Sequence, residues 1–256
     1  MPHTSSIHLK VVNGSQRPHI KVPRALGKPA VTCDPNEELW ARATVIDGLS
    51  LSLGPEAAGL SPVPTTIRLL WDEDALYLRY RCESDEIYAP HSGRDAHHHL
   101  GDVVEIFIDP MGDARQWYEV QVTPTNQVLD KMFLLTALPE HRQDLLLDFD
   151  LMSRELWEFI EWDMPGLQHA AAIDEAGWTV DMALPAEALM RRHGEGHLRP
   201  IIMRANFLRY EWRKGIDGGE NAEGRRLIAM NWASVRHGQP HVSPGAMGYL
   251  ELIEGT

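Results

Sequence analysis

Apolar and polar residues alternate along much of the chain, and this period of two predicts β-strands. The clearest example is residues 101–123, GDVVEIFIDPMGDARQWYEVQVT, where two alternating runs flank a Pro-Met-Gly-Asp turn. In the first run Val104, Ile106 and Ile108 point to one side. The second run repeats the pattern, so one face of the predicted hairpin is apolar and the other carries polar side chains in mid-strand.

The polar face of this hairpin presents Glu105 from the first run, and Glu119 and Gln121 from the second. Polar groups in mid-strand form either a solvated sheet surface or the floor of a polar binding site. Taken alone, the alternation favours the solvated surface.

Further segments show the same alternation and are predicted to be strands. They are residues 65–71, 76–82, 128–135, 168–173, 178–184, 199–212, 228–233 and 248–253. Short helical pieces are predicted within residues 31–46 and over residues 185–192, where a proline occupies the first turn. The sequence contains no βαβ unit and no internal repeat. We therefore predict an all-β fold, an antiparallel β-sandwich with one or two short helices.

The chain is predicted to consist of an N-terminal extended arm followed by one sandwich domain. Residues 1–30 are rich in Pro, His and Lys and lack a long apolar period, which is typical of an arm. Residues 31–256 form the predicted sandwich. Residues 138–166 combine helical and strand-like features and give no clear prediction.

Charge and hydropathy restrict the kinds of partner. The chain of 256 residues has 24 Lys and Arg against 37 Asp and Glu, a net charge of −13. This charge argues against nucleic acid or an anionic membrane and suits a neutral ligand or a cation. No run of about 20 apolar residues and no signal-peptide pattern is present. We expect a cytoplasmic protein if Met1 is the native start, and a secreted or periplasmic one if a leader has been removed; the oligomeric state is left open.

Two cysteines, Cys33 and Cys82, lie far apart in the sequence. Two buried free thiols are the favoured interpretation. A disulfide between them is the alternative in an oxidising compartment.

A polar loop dense in histidine and aspartate precedes the hairpin. Its candidate metal ligands are His91, Asp95, His97, His98, His99 and Asp102. Imidazole and carboxylate are common ligands of zinc and similar metals, so a metal-dependent enzyme is one hypothesis. Because a loop gives these residues no fixed spacing, a polar loop without metal is favoured.

Two further constellations concern sugars. Glu105 and Glu119 are two carboxylates of the kind that glycoside hydrolysis requires, although facing solvent or holding a sugar hydroxyl is favoured for both. Asn206 and Arg209, in RANFLRYEW, are candidate polar contacts to a sugar; a structural hydrogen-bond network is the alternative for both.

The order of several motifs resembles the family 9 carbohydrate-binding module, a DOMON-like β-sandwich, and most of all its stand-alone bacterial members. The motifs are DPNEELWARA, LLWDEDALY, DVVEIFIDP, EAGWTVDMALPAEAL, RANFLRYEW and HVSPGAMGYLEL, spread over about residues 31–253. The resemblance implies a sugar-binding sandwich without catalysis of its own, associated with enzymes of polysaccharide degradation and carbohydrate catabolism.

The resemblance also implies roles for individual residues. Glu105 matches the family's sugar-contacting glutamate, and Gln121 falls where an arginine contacts the sugar. The family clamps the sugar between two tryptophans, and His99 and His241 occupy those positions here. Imidazole offers less apolar area than indole, which implies either weak affinity or a different ligand, such as an anion drawn to partly protonated histidine.

Structural calcium is the cofactor that the resemblance implies. Glu37, Glu38 and Asp85 fall near the positions of its ligands. Calcium takes about six to eight oxygen ligands, so three side chains are an incomplete set.

The sequence thus predicts a non-catalytic carbohydrate-binding domain with an atypical, histidine-flanked site. The predicted ligand-binding residues are Glu105, Gln121, Glu119, His99, His241, Asn206 and Arg209. The alternatives are a metal-dependent or glycoside-processing protein that uses the His-rich loop and the Glu105/Glu119 cleft, and an interaction domain whose sugar pocket has decayed.

Overall fold

The computed structural model describes residues 17–35, 38–52, 59–136, 156–216, 221, 223–235 and 243–255. The strands in these residues are β1 (His19–Pro23), β2 (Thr44–Asp47), β3 (Ser50–Leu51), β4 (Thr65–Trp71), β5 (Ala75–Glu83), β6 (Val103–Asp109), β7 (Gln116–Val122), β8 (Val128–Leu135), β9 (Leu156–Phe159), β10 (Gln168–Asp174), β11 (Gly177–Pro185), β12 (Ile202–Lys214), β13 (Arg225–Asn231) and β14 (Gly248–Ile253).

These strands form two sheets. The nine-stranded sheet has the order β1-β14-β12-β6-β7-β8-β9, with β13 joined to β12 and β3 joined to β13. The five-stranded sheet has the order β10-β11-β5-β4-β2. Strand β1 runs parallel to β14, and the other pairings among the described strands are antiparallel. The predicted all-β sandwich is confirmed.

Helices are few and short, as predicted. A 3₁₀ helix spans Glu38–Arg42. The α-helix α1 spans Ala186–Leu189, directly after the strand that ends at Pro185. Residues 19–23 of the predicted arm pair with β14 as a sheet strand, so this part of the arm belongs to the sandwich. No helix in the described ranges is long and apolar enough to span a membrane.

The main core lies between the two sheets. Ile106 of β6 and Leu69 of β4 belong to the same buried cluster, as the alternation of apolar residues requires. The Tyr80 hydroxyl, which belongs to the five-stranded sheet, donates a hydrogen bond of 2.8 Å to the carbonyl oxygen of Glu105. The inner side of the strand that carries Glu105 is therefore fixed against the opposite sheet.

The outer side of the five-stranded sheet is covered by the segment before β2. Trp40 of the 3₁₀ helix is buried there, with the Arg79 guanidinium 4.8 Å from the centre of its ring. Arg79 donates two hydrogen bonds of 2.7 Å to Asp181, its direct partner on β11. The backbone N–H of Cys33 donates a third to the same carboxylate, at 2.7 Å. A buried ion pair thus fixes this segment to the sheet.

The start of β11 requires a glycine. Gly177, the first residue of β11, has φ = 138°, and a Cβ there would lie 2.0 Å from the carbonyl oxygen of Cys82. Only glycine allows this hairpin to approach β5 so closely.

Cys33 and Cys82 are both buried and free, which agrees with the favoured interpretation of two thiols.

Candidate functional site

A row of polar side chains crosses three adjacent strands on the outer face of the nine-stranded sheet, the face turned away from the other sheet. Glu105 of β6 is paired directly with Gln121 of β7. Glu119 of β7 is paired directly with Lys131 of β8. We call these four residues the outer polar row. Because side chains alternate along a strand, the apolar neighbours of these residues enter the main core while the row itself faces outward.

Three of the four residues of the outer polar row are buried, and Lys131 is half-buried. Glu105 and Glu119 are each 2% exposed, and Gln121 is 3% exposed. Burial of polar groups is costly unless hydrogen bonds or opposite charges compensate for the loss of water. The expectation of a solvated surface, which the alternation alone favoured, is therefore wrong for these three side chains.

Part of this compensation comes from within the row. Gln121 Nε2 donates a hydrogen bond of 2.5 Å to Glu119 Oε1. Lys131 Nζ lies 3.3 Å from Glu119 Oε2 and also pairs with Glu158 of β9. The Lys131 ammonium is further placed 5.2 Å from the centre of the Phe133 ring. The Lys131 ammonium therefore pairs with two carboxylates, those of Glu119 and Glu158.

The remaining acceptor atoms of the row are not satisfied. Glu105 Oε1, Glu119 Oε2 and Gln121 Oε1 are buried and accept no hydrogen bond from the described part of the chain. For Glu119 Oε2 the ion pair with Lys131 compensates in part. Because buried acceptors in proteins are usually hydrogen-bonded, these three atoms on one face form a site suited to hydrogen-bond donors from outside the row.

Burial changes the protonation behaviour of the site. Burial, followed by the nearby charge of Glu119, holds the pKa of Glu105 well above its usual range, while Lys131 acts in the opposite direction. Burial also raises the pKa of Glu119, although Lys131 and the hydrogen bond from Gln121 oppose it. The pKa of Tyr210 is raised by burial and by the charges of both glutamates, which places its phenol near the row.

Aromatic and aliphatic side chains border the polar row on the same face. Trp117 and Phe133 stack with ring centres 5.3 Å apart and ring planes 9° apart. They form one cluster with Phe107 and Leu208, against which Tyr210 packs. The site is therefore a polar row inside an apolar border, which is the composition of many small-ligand sites.

His99 lies close to this face, in a 3₁₀ helix that spans His98–Leu100. His99 is exposed, and its ring meets the ring of His97 edge to face, with the ring centres 5.7 Å apart. Partial burial lowers the pKa of His99, and the charges of His97 and Lys131 lower it further. His99 therefore lies within electrostatic range of the row and is neutral at pH 7.

The loop that carries His99 is held by buried hydrogen bonds. Trp212 Nε1 donates to the carbonyl oxygen of His99 at 3.1 Å. The Asp102 carboxylate accepts from the backbone N–H groups of Trp212, at 2.8 Å, and Tyr88, at 2.7 Å. A Cβ at Gly101 would lie 2.8 Å from the carbonyl oxygen of Tyr88. Close packing of the loop thus positions His99.

Asn206 lies on the outer face, but its side chain is occupied by backbone groups. Its Nδ2 donates to the carbonyl oxygen of Ala233 at 3.0 Å. Its Oδ1 accepts from the N–H groups of Ala233, at 2.8 Å, and Phe207, at 3.0 Å. These bonds match the alternative interpretation of Asn206 as part of a structural network.

Arg209 is not brought together with the other predicted residues. It is fully buried between the sheets, where it donates to the carbonyl oxygens of Pro64, at 2.8 Å, and Glu83, at 2.7 Å, and pairs with Glu211. Asn206 and Arg209 are three residues apart, so alternation sends their side chains to opposite faces of β12. Within this structure Arg209 ties the two sheets together.

Comparison with known proteins identifies the family. The family model "Carbohydrate family 9 binding domain-like" matches residues 34–201. The chain belongs to this family. A comparison with curated proteins found no match.

Solved structures with a similar fold agree with the family 9 assignment. A Bacteroides uniformis protein whose name assigns it to carbohydrate binding has a TM-score of 0.65 and 14% identity, covering 93% of this chain and 100% of its own. A family 9 module from Caldicellulosiruptor kristjanssonii in complex with cellotriose has a TM-score of 0.59 and 13% identity, covering 93% and 95%. The same kind of module in complex with glucose has a TM-score of 0.56 and 13% identity, covering 93% and 97%. At such identities the likeness shows the fold alone.

The calcium that family 9 resemblance implies gains no support from the described carboxylates. Glu38 is exposed, and Asp85 is exposed and lies 3.1 Å from Arg213 in an ion pair. Neither belongs to a group of three potential metal ligands within the described ranges. Glu37 and His241 lie outside the described residues. Calcium binding therefore stays a prediction.

The His-rich loop contributes one residue to a carboxylate cluster. Potential ligand atoms of Asp95, Asp130 and Asp163 all lie within 4.8 Å of one another. Arg94 pairs with both Asp130 and Asp163, and Asp130 also accepts a hydrogen bond from the N–H of Met164. Burial raises the pKa of Asp130 to about 6. An arginine inside the cluster is typical of an ion-pair network, and we assign no metal to it.

Sequence reasoning missed two members of the site, Lys131 and Tyr210. Lys131 lies within VLDKMFLL, a strand that the alternation had predicted. It is two residues before Phe133, so the two side chains point to the same face of the strand. Tyr210 has the same parity as Asn206 on β12. Parity within a predicted strand is therefore the signal that identifies both.

Proposed function

We propose that this family 9 protein binds carbohydrate, without catalysis, at the outer polar row. The observation that carries the proposal is the set of buried acceptor atoms on Glu105, Glu119 and Gln121 that receive no hydrogen bond from the described chain. A sugar presents several hydroxyl donors on a rigid ring and is suited to satisfy such a set. The apolar border supplies the contact that the less polar face of a pyranose needs.

Family membership supports the same conclusion. Two solved structures with this fold show a family 9 module from Caldicellulosiruptor kristjanssonii in complex with cellotriose and with glucose. We therefore take β-linked glucose oligomers as the first ligands to test. His99 would border the ligand as a neutral imidazole. Asn206 is left out of the proposed contacts because its side chain already bonds backbone groups, and Arg209 because it is buried between the sheets, away from the row. A role beside polysaccharide-degrading enzymes is part of the proposal.

A binding role fits the chemistry of the two glutamates better than hydrolysis does. Glycosidases place two carboxyl groups on either side of the scissile bond. Glu105 and Glu119 project from the same sheet face, on neighbouring strands, and Glu119 is held by Gln121 and Lys131. Such a pair forms a floor under a ligand.

The test is titration calorimetry and NMR with glucose, cellobiose, cellotriose and a panel of other neutral oligosaccharides. We expect saturable binding that Glu105→Ala abolishes or weakens strongly. Glu175→Ala is the matched control, because Glu175 is exposed in the turn of the five-stranded sheet. Absence of binding across the panel, or binding that Glu105→Ala leaves unchanged, would overturn the proposal.

A further inference from the structure

We propose that Glu105 carries a proton in the unliganded protein at neutral pH and donates it as a hydrogen bond to an oxygen of an uncharged sugar. This inference rests on the proposed function for its ligand. It goes further because it assigns Glu105 the role of a neutral acid rather than of a carboxylate acceptor. It also names the selected class: neutral sugars, in preference to amino sugars and uronic acids.

The first support is the balance of charged groups at the row. Three carboxyl groups, those of Glu105, Glu119 and Glu158, face the single ammonium of Lys131 among the described residues. Lys131 already pairs with Glu119 and Glu158. No ion pair of the described chain involves Glu105, although it is 2% exposed. An unpaired carboxyl group at such depth is stabilised by taking up a proton.

A buried carboxylate elsewhere in the chain shows what Glu105 lacks. Asp181 is equally inaccessible, and its two oxygens accept two hydrogen bonds from Arg79 and one from the N–H of Cys33. Glu105 Oε1 accepts none from the described residues. A protonated acid has one donor of its own and needs fewer donors from its surroundings.

Among the described residues, the other titratable groups near Glu105 do not supply the missing positive charge. Burial raises the pKa of Glu105 first, and Glu119 raises it further. The lowered pKa of His99, caused first by burial, leaves its ring neutral, and the raised pKa of Tyr210, also caused first by burial, keeps its hydroxyl protonated. Lys131 stays charged because its carboxylate partners outweigh the effect of burial. Protonated Glu105 is the state that agrees with all of these neighbours.

The proton determines which sugars fit. A neutral acid donates to a ring or hydroxyl oxygen and accepts from another hydroxyl. Glu119 and Lys131 of the row, together with Glu158 beside it, then keep charges that sum to −1 and disfavour a uronate. An amino sugar in its ammonium form can pair only with an ionised Glu105, so the Glu105 proton would first have to pass to solvent, and the ammonium would then lie near Lys131.

The first experiment needs no ligand. Infrared difference spectra between the wild type and Glu105→Gln, recorded from pH 5 to pH 9, report the carbonyl band of a protonated carboxylic acid. We expect that band in the wild type at pH 7 and its loss in the variant. Glu105→Leu serves as a second variant if the first does not fold. A wild type whose Glu105 is ionised at pH 7 would overturn the inference.

The second experiment uses glucose and cellotriose as neutral probes, with glucosamine and glucuronic acid as charged ones. Wild-type affinity for the neutral probes should fall roughly tenfold per pH unit once Glu105 ionises. Glu105→Gln, which mimics the neutral acid, should keep affinity within a few fold and remove this pH dependence. Tighter binding of glucosamine, or a loss of affinity above tenfold in Glu105→Gln, would refute the donor role. If no probe binds, the proposed function and the donor role fail together, while the infrared result decides the proton independently.

Discussion

Gln121 Nε2 donates a hydrogen bond to Glu119 Oε1, two residues earlier on the same strand, at 2.5 Å. This bond fixes the orientation of the Gln121 amide, so its Oε1 is the atom left without a partner in the described chain. Glu105 lies opposite on the next strand with an unsatisfied oxygen of its own. The acceptor oxygen of Gln121 and the carboxyl group of Glu105 thus lie side by side on a preorganised floor.

Replacing Gln121 should therefore weaken carbohydrate binding. In Gln121→Ala one ligand hydroxyl loses its acceptor, and Glu119 loses a donor that stabilises its ionised form. We expect a loss of about 1–3 kcal/mol, or roughly 5- to 150-fold in Kd, measured by titration calorimetry.

The control for this variant is Gln116→Ala, in the same strand. Gln116 has the opposite parity, and its Nε2 donates to the Tyr118 hydroxyl on the inner side at 2.7 Å. The control should bind sugar like the wild type. Equal losses in both variants would mean that the row has no special role.

Lys131 is expected to stabilise the fold through Glu119. Lys131→Met leaves the Glu119 carboxylate buried without its cation, at a cost of about 3 kcal/mol at pH 8. Without Lys131, the folded variant can stabilise Glu119 by protonating it, whereas a glutamate in the unfolded chain stays ionised down to about pH 4.3. The destabilisation should therefore shrink as the pH is lowered towards 5.

Thermal melts of Lys131→Met from pH 5 to pH 8 measure this effect. Lys21→Met, at an exposed position of β1, is the matched control and should melt like the wild type. A destabilisation of Lys131→Met that grows as the pH falls would contradict the role given to the ion pair.

The fold was largely predictable because alternation is a local signal. The predicted strand at residues 128–135 is β8 itself, and the predicted strand at 199–212 is observed as Ile202–Lys214. Alternation says which residues share a face, but it does not say which strands are neighbours. The buried pair of Arg79 and Asp181 escaped prediction for this reason, since it depends on the pairing of β5 with β11.

The candidate site was predictable in part. The family resemblance nominated Glu105 and Gln121, and the structure brings them together as direct partners. Arg209 and Asn206 were grouped as candidate polar contacts from the residues of RANFLRYEW alone, although their side chains point to opposite faces of β12. The occupation of Asn206 by Ala233 and Phe207 depends on a distant segment that no local pattern indicates.

The Arg79–Asp181 pair should contribute to stability and not to binding. Asp181→Asn leaves the Arg79 guanidinium buried without its counter-charge, and we expect a loss of about 3–5 kcal/mol. At roughly 2–4 °C per kcal/mol for a chain of this size, the melting temperature should fall by about 6–20 °C. Sugar affinity below that temperature should be unchanged, because the pair lies on the five-stranded sheet.

Asp174→Asn is the matched control for this substitution. Asp174 forms an exposed ion pair with Arg81 at 2.7 Å, near the same hairpin. Exposed pairs contribute about 0–1 kcal/mol, so the control should shift the melting temperature by only a few degrees. A melting temperature of Asp181→Asn no lower than that of the control would contradict the prediction.

Asp102 gives a prediction about pH. Burial, followed by the charge of Glu211, raises the pKa of Asp102 to about 7, although the N–H groups of Trp212 and Tyr88 donate to it. The folded protein therefore holds a proton on Asp102 between pH 4 and pH 7 that the unfolded chain has released. Wild-type stability from this group is fully present below about pH 4 and is lost as the pH rises to 7, by up to about 4 kcal/mol.

Asp102→Asn removes this titration and replaces one acceptor oxygen with an amide that cannot accept from a backbone N–H. We expect the variant to be clearly less stable than the wild type at pH 4.5, with a gap that narrows towards pH 7.5 in urea denaturation. Because Trp212 also donates to the carbonyl oxygen of His99, the variant should in addition loosen the His99 turn, seen as faster amide exchange there. A stability gap that stays constant or widens with rising pH would contradict the raised pKa of Asp102, because an Asp102 that is ionised in both the folded and the unfolded chain gives no change over this range.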